Sequence, residues 1–170
     1  PVADDPGEPR HLDPSALATP SLAISCAARE ALRIGDVVEG MLTGMLTVLK
    51  QNDRALAQRL RKLDDTVDDL YTAVKLYLTQ ISREALSERE SRRWTDIVSF
   101  TLNMEQIGDI VERVLQDVED KKISKGRSFS EAGMAEISHL HERLLANLRL
   151  AMSVFLDGHV RDARKLLEEK

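Results

Sequence analysis

Apolar residues recur along this chain at alternating steps of four and three. In one stretch the run is Leu56, Leu60, Leu63, Val67, Leu70, Val74, Leu78 and Ile81. That rhythm keeps side chains on one side of an α-helix and predicts an amphipathic helix of almost four heptads. An earlier run, Ile34, Val38, Met41, Met45 and Val48, predicts a helix from Ser21, its expected N-cap, to about Lys50. A later one, Trp94, Ile97, Thr101, Met104, Gly108, Val111, Leu115 and Val118, predicts a third helix. The fourth run, Ile137, Leu140, Leu144, Leu148, Ala151 and Phe155, starts after Ser130 and ends at Asp157-Gly158-His159. A fifth helix is expected to begin there and run to Lys170. Turns are expected at Asn52-Asp53, around Ser87 and in the basic stretch Lys121 to Ser128. Helix 1 also carries Gly40 and Gly44 four apart, a spacing that suits the close approach of a neighbouring backbone.

Proline divides the chain sharply. All five prolines lie in residues 1–20 and none in the 150 that follow. Helix interiors exclude proline because it lacks the N–H and clashes with the preceding turn. Residues 1–20 are therefore expected as an extended linker, and residues 21–170 as an all-α, antiparallel helical bundle. The remaining composition fits: 4% aromatic content and few glycines disfavour β-sandwiches and barrels. A single cysteine, Cys26, excludes an internal disulfide and is expected as a small buried residue. The formal charge of −5 argues against nucleic acid as a partner. No apolar stretch approaches the ~20 residues of a membrane span. The start is acidic and unlike a signal peptide, and both ends are expected to be cut points in a longer protein.

Chemistry concentrates in two acidic rows. Helix 2 packs four aspartates into six positions, Asp64, Asp65, Asp68 and Asp69, although Asp is a poor interior helix former. Asp64 and Asp68 share a face and each follows a core residue, Leu63 or Val67. In helix 3 one row reads Val98, Leu102, Glu105, Asp109 and Glu112, with Gly108 on the core stripe leaving space beside the acids. Carboxylate pairs on adjacent helices repel unless a cation lies between them. Oxygen ligands of this kind suit Mg²⁺, Ca²⁺ or Mn²⁺, and iron-type or zinc clusters also fit carboxylate-rich sites. The competing reading is a solvated acidic face balanced by Arg59, Arg61, Lys62 and Arg113. An enzymatic carboxylate-bridged metal site would need two E-x-x-H units, and Glu136 with His139 is a lone one. His141 is expected as a half-buried bundle residue, and the loop from Lys121 to Arg127 as a solvated one. No phosphate-binding glycine loop or nucleophile elbow is present.

Two internal echoes suggest a repeated unit. Arg33-Ile34-Gly35-Asp36-Val37-Val38-Glu39 resembles Gln106-Ile107-Gly108-Asp109-Ile110-Val111-Glu112, and Ala57-Gln58-Arg59-Leu60 resembles Ala163-Arg164-Lys165-Leu166. The second echo points to a three-helix unit repeated once and then truncated.

At these residues a family resemblance emerges. Leu63-Asp64-Asp65-Thr66-Val67-Asp68-Asp69-Leu70-Tyr71 resembles the second helix of a PhoU-type repeat, and Glu105-Gln106-Ile107-Gly108-Asp109 its third-helix E-x-x-x-D box. Leu12 to Pro20, followed by Ala27-Ala28-Arg29-Glu30, looks like the junction in bacterial Na⁺/phosphate cotransporters between a membrane domain and a cytoplasmic PhoU-like domain. The resemblance implies tandem three-helix units, here a first unit over about 21–121 and a partial second over about 130–170. It implies control of phosphate uptake rather than catalysis, no enzyme activity, and candidate metal ligands at Asp64, Asp68, Glu105 and Asp109. The implied partners are the membrane transporter domain of the same polypeptide and further copies of the chain, as a homo-oligomer, with possible contact to the cytoplasmic membrane face. The implied location is the cytoplasmic side of the inner membrane, within a larger integral membrane protein. Leu32 stands where an acid would complete a box with Asp36, so the first-helix echo is not a full site.

Overall fold

The computed structural model describes residues 4–157 and residue 168 of the chain. Four long α-helices dominate: α1 (Pro20–Gln51), α2 (Arg54–Thr79), α3 (Glu88–Val118) and α4 (Glu131–Asp157). No strand occurs among the described residues. The fold class is all-α, as the periodicity predicts. The expected fifth helix lies outside the described residues.

Each boundary has a local cause. α1 opens with Pro20 in its first turn, and Thr19 rather than Ser21 is the N-cap. Proline's fixed φ and missing N–H suit a position whose N–H would have no helical partner, which moves the start two residues earlier than expected. Asn52 ends α1 in the left-handed region, at φ 54°, with its N–H donating to the Val48 carbonyl. Asp53 then caps α2, its Oδ1 accepting the Leu56 N–H at 2.9 Å. Two residues thus stop one helix and start the next. Ser87 caps α3 through the Glu90 N–H at 3.2 Å, and Ser130 caps α4 through the Gly133 N–H at 3.0 Å.

α1, α2 and α3 pack against one another around the predicted stripes, and α4 lies on α1. Ile34, Val38, Met41 and Val48 of α1 meet Val67, Leu70 and Val74 of α2 and Ile97, Met104 and Leu115 of α3 in one fully buried core. Burying each such side chain contributes about 1.5–3 kcal/mol. Gly44 admits a side chain rather than a neighbouring backbone: a Cβ there would lie 2.7 Å from Leu60 Cδ1. Gly40 faces open space, so the paired-glycine expectation does not hold for it.

Three expectations are corrected by the packing. α4 is rotated from the predicted face in its first half, where Leu140 and Leu144 are 57% and 45% exposed and His141 is buried, while Leu148 and Phe155 are buried as expected. Two anchors fix that rotation. His141 Nε2 pairs with the Leu42 carbonyl at 2.6 Å, and the Phe155 ring stacks on Phe100 at a centroid distance of 4.1 Å. His141 is accordingly buried, not half-buried, and Cys26 is only partly buried.

The basic loop is also less solvated than its composition suggests. α3 continues through a π-helical turn, Glu119–Ile123, which turns Lys122 inward. Lys122 is buried, donates to the Leu49 carbonyl at 2.9 Å and to Asn52 Oδ1, and so caps the end of α1. Burial lowers its pKa.

Nor are residues 4–20 a loose linker. They include a 3₁₀ turn, Pro14–Ala18, with Ala16 buried and Leu12 and Leu17 packed on the core. Side chains of α1 and α2 grip the segment's main chain.

Candidate metal centre

α2 and α3 are neighbouring antiparallel rods, so an acidic turn midway along each meets the other. Asp64 and Asp68 stand one turn apart on α2, opposite Asp109 on α3. One carboxylate oxygen from each of the three can be chosen so that all lie within 4.8 Å of one another. Oxygens bound to a single Mg²⁺, Mn²⁺ or Ca²⁺ at about 2.0–2.6 Å sit no more than about 4–5 Å apart. The spacing therefore fits one hard cation. Glu105, the fourth residue expected from sequence, does not reach this point; it lies against Asp109, close enough to share a hydrogen bond.

The electrostatics show a crowded group of carboxylates with one orphaned oxygen. Asp64 Oδ1 is buried and accepts no hydrogen bond. The Asp64 pKa is pushed up to about 7, first by burial, then by the charges of Asp68 and Asp109. Asp68, exposed on its outer side, is also raised by partial burial and by Asp109, Asp65 and Asp69. Glu105 is raised too, by burial and by its contact with Asp109. Such shifts mark groups whose charged forms lack compensation.

Two of the four basic residues named as a balance for an acidic face, Arg61 and Arg113, are engaged elsewhere. Arg61 Nε pairs with Glu112 at 2.9 Å and its Nη1 with Glu119 at 3.2 Å. Arg113 turns back to the Asp109 main-chain carbonyl at 3.4 Å. Among the described residues no ion pair reaches Asp64, Asp68 or Asp109.

Gly108 shapes the group. A Cβ at this position would lie 2.9 Å from Asp64 Oδ1 and 3.5 Å from Val67 Cγ1. Only glycine lets Asp64 fold inward against α3. Gly108→Ala is therefore expected to gain roughly 1 kcal/mol of helix propensity while displacing the Asp64 carboxylate. The expected result is a chain that melts no lower than the wild type yet binds Mn²⁺ about tenfold more weakly, as for loss of a positioning contact. Calorimetric titration with Mn²⁺ beside thermal melts checks both halves.

Among the described residues the α1 echo builds no second group. Asp36 is exposed, and the glycine before it, Gly35, serves packing: a Cβ there would lie 3.1 Å from Met152 Cε and 3.3 Å from Phe100 Cζ. Glu136 and His139 are exposed on α4 and stand outside the acidic group. Besides Lys122, sequence reasoning missed the charge of Glu30, which is fully buried on α1. Its signal was present: an acid inside the small apolar run Ala27-Ala28-Arg29-Glu30-Ala31, with Arg33 three residues on.

Comparison with known proteins places this arrangement. The chain is 49% identical over all 170 residues to a protein of Escherichia coli (strain K12) named "Putative inorganic phosphate export protein YjbB". A Salmonella typhimurium protein of the same name is 48% identical over the same length. The chain spans 31% of each relative, so the region is a domain of a larger protein in both. No solved structure matches it. The sequence profile of the PhoU domain matches residues 31–118, more than half of the chain and the stretch that holds every acid of the group. With its three-helix core and paired acidic turns, this chain belongs to the PhoU domain family.

Proposed function

We propose that this chain is the regulatory PhoU domain of a sodium-dependent phosphate transporter, and that it responds to a divalent cation held by Asp64, Asp68 and Asp109. The observation that carries the reading is the buried, unpartnered Asp64 Oδ1 facing two further carboxylates with no basic side chain among them. Bound there, Mg²⁺, Mn²⁺ or an iron-type ion supplies positive charge between α2 and α3. Glu105 supports the site from behind, through Asp109, and is a direct ligand only of a larger cluster.

The reading is regulatory and not catalytic. The cluster offers carboxylates alone, without the histidines of an E-x-x-H di-metal oxidase, and the lone such pair is exposed on another helix. No described helix is long and apolar enough to cross a membrane. The membrane domain of the same polypeptide is then the partner that the bundle acts on, at the cytoplasmic face of the inner membrane. Exposed Leu140 and Leu144 are the surface on which self-association would rest.

The test uses the full-length transporter in vesicles, with phosphate flux measured before and after deletion of this domain and across Mn²⁺ concentrations. Flux that persists after deletion but no longer responds to Mn²⁺ is the expected result. Flux that ignores both the deletion and the ion would reject the regulatory role.

A further inference from the structure

Besides the packing of Leu12, Ala16 and Leu17, the segment before α1 is held by a set of hydrogen bonds made to its main chain. Arg33 of α1 donates through Nη1 to the Glu8 carbonyl at 2.7 Å and through Nη2 to the Pro6 carbonyl at 2.6 Å. Glu30 Oε1 accepts the Arg10 N–H at 2.6 Å, and Tyr77 of α2 donates its O–H to the Asp13 carbonyl at 2.8 Å. Glu30 is fully buried, with Arg33 Nη1 at 3.6 Å and its Oε2 unpartnered. Three side chains from two helices thus fix four backbone groups of a segment with little regular structure of its own. A passive tether needs none of this, because exposed connecting chain satisfies its backbone with water.

The path of the segment matters as much as its grip. It crosses α2 at Gly7, where a Cβ would lie 2.8 Å from Asp69 Oδ2. Asp5 Oδ1 accepts the Gly7 N–H at 2.9 Å, which puts a second carboxylate at the same crossing. Arg10 neutralises Asp4 at 2.8 Å, but no ion pair among the described residues reaches Asp5 or Asp69. The segment therefore brings its own acid against the acidic turn of α2, one residue from Asp68. Like charges at that distance oppose docking, and a cation on the turn removes part of the opposition.

We propose that residues 5–13 form an ion-responsive strap: a divalent cation on Asp64, Asp68 and Asp109 tightens it against α1 and α2, and loss of the cation loosens it. The inference rests on the cation reading given above and adds the element that senses occupancy. Glu30, Arg33 and Tyr77 are the latch, Gly7 and Asp69 the point of contact with the site. Because the strap leads into α1 from the preceding chain, its state sets how firmly the bundle is joined to whatever comes before it.

The experiment is main-chain hydrogen exchange on the full 170-residue chain, read at the Arg10 and Ala16 amides, with Mn²⁺ binding measured on the same samples by equilibrium dialysis. Saturating Mn²⁺ is expected to slow exchange in the strap about threefold, the size of one screened charge interaction. Asp109→Asn, on α3, is expected to cancel the response. Arg33→Ala and the milder Glu30→Gln are expected to speed strap exchange with or without Mn²⁺ while Mn²⁺ still binds. Mn²⁺ binding with unchanged strap exchange overturns the strap and leaves the cation site standing. Absence of Mn²⁺ binding overturns the cation site and the strap with it.

Discussion

Replacing Asp109 with Asn is expected to weaken Mn²⁺ binding by about 100-fold, at least the loss seen when even a supporting group of a metal site is removed. The same change is expected to raise the melting temperature of the ion-free chain at pH 7.5. Asp109 is one corner of a triangle whose oxygens lie within 4.8 Å of one another, and no basic side chain enters it. At an effective dielectric of about 20, two full charges so close repel by a few kcal/mol, which partial exposure reduces to about 1 kcal/mol. Asparagine removes the charge and supplies an N–H₂ donor to the orphaned Asp64 Oδ1. A residue that costs stability and is required for binding is the signature of a site, since a solvated surface acid would do neither. Calorimetric titration together with melts in chelator reads both effects; unchanged Mn²⁺ affinity would reject Asp109 as a ligand.

The second expectation concerns pH. Asp64 keeps its proton up to about pH 7 in the folded chain, against an ordinary value of 3.8, because burial and its acidic neighbours disfavour the anion. Between those two values the folded state holds a proton that the unfolded state has released. Stability of the ion-free bundle therefore falls as pH rises from about 4 to about 7. The ion-free chain is expected to melt higher at pH 5 than at pH 7.5. A divalent cation competes with that proton, so adding Mn²⁺ should raise the melting temperature strongly at pH 7.5 and hardly at pH 5. Melting curves at the two pH values, with chelator and with Mn²⁺, give the comparison. A Mn²⁺ effect equal at both would mean that the ion binds away from Asp64.

The helices were legible because burial on one face of a rod leaves a four-three imprint, clear in Leu56 to Leu78 and in Ile97 to Val118. The acidic site was legible for the same reason: Asp64, Asp68 and Asp109 sit at fixed offsets from core residues, so their direction follows from the core. Glu105 stands beside Asp109 and outside the trio, because its distance across the interface is set by helix separation and tilt, which no one-dimensional pattern holds. α4 was misread because leucine at 140 and 144 outvotes a histidine at 141, while the contact that decides the rotation is a ring nitrogen on the Leu42 carbonyl. The grip on residues 6–13 was invisible because main-chain groups accept most of it, and every residue carries those.

Arg61 has a mechanical meaning beyond its charge. Its two pairs, to Glu112 and Glu119, pin α2 to α3 about one turn from Asp64. Toward the other end the same helix runs from Arg61 to Tyr77, about 24 Å at 1.5 Å per residue, against about 5 Å from Arg61 to Asp64. Asp64 and Tyr77 lie on the same side of that guanidinium, one close to the pivot and one far along the same arm. Drawing the acids together by a few tenths of an ångström then swings the far end roughly five times as much, and the hydroxyl at that end holds the Asp13 carbonyl.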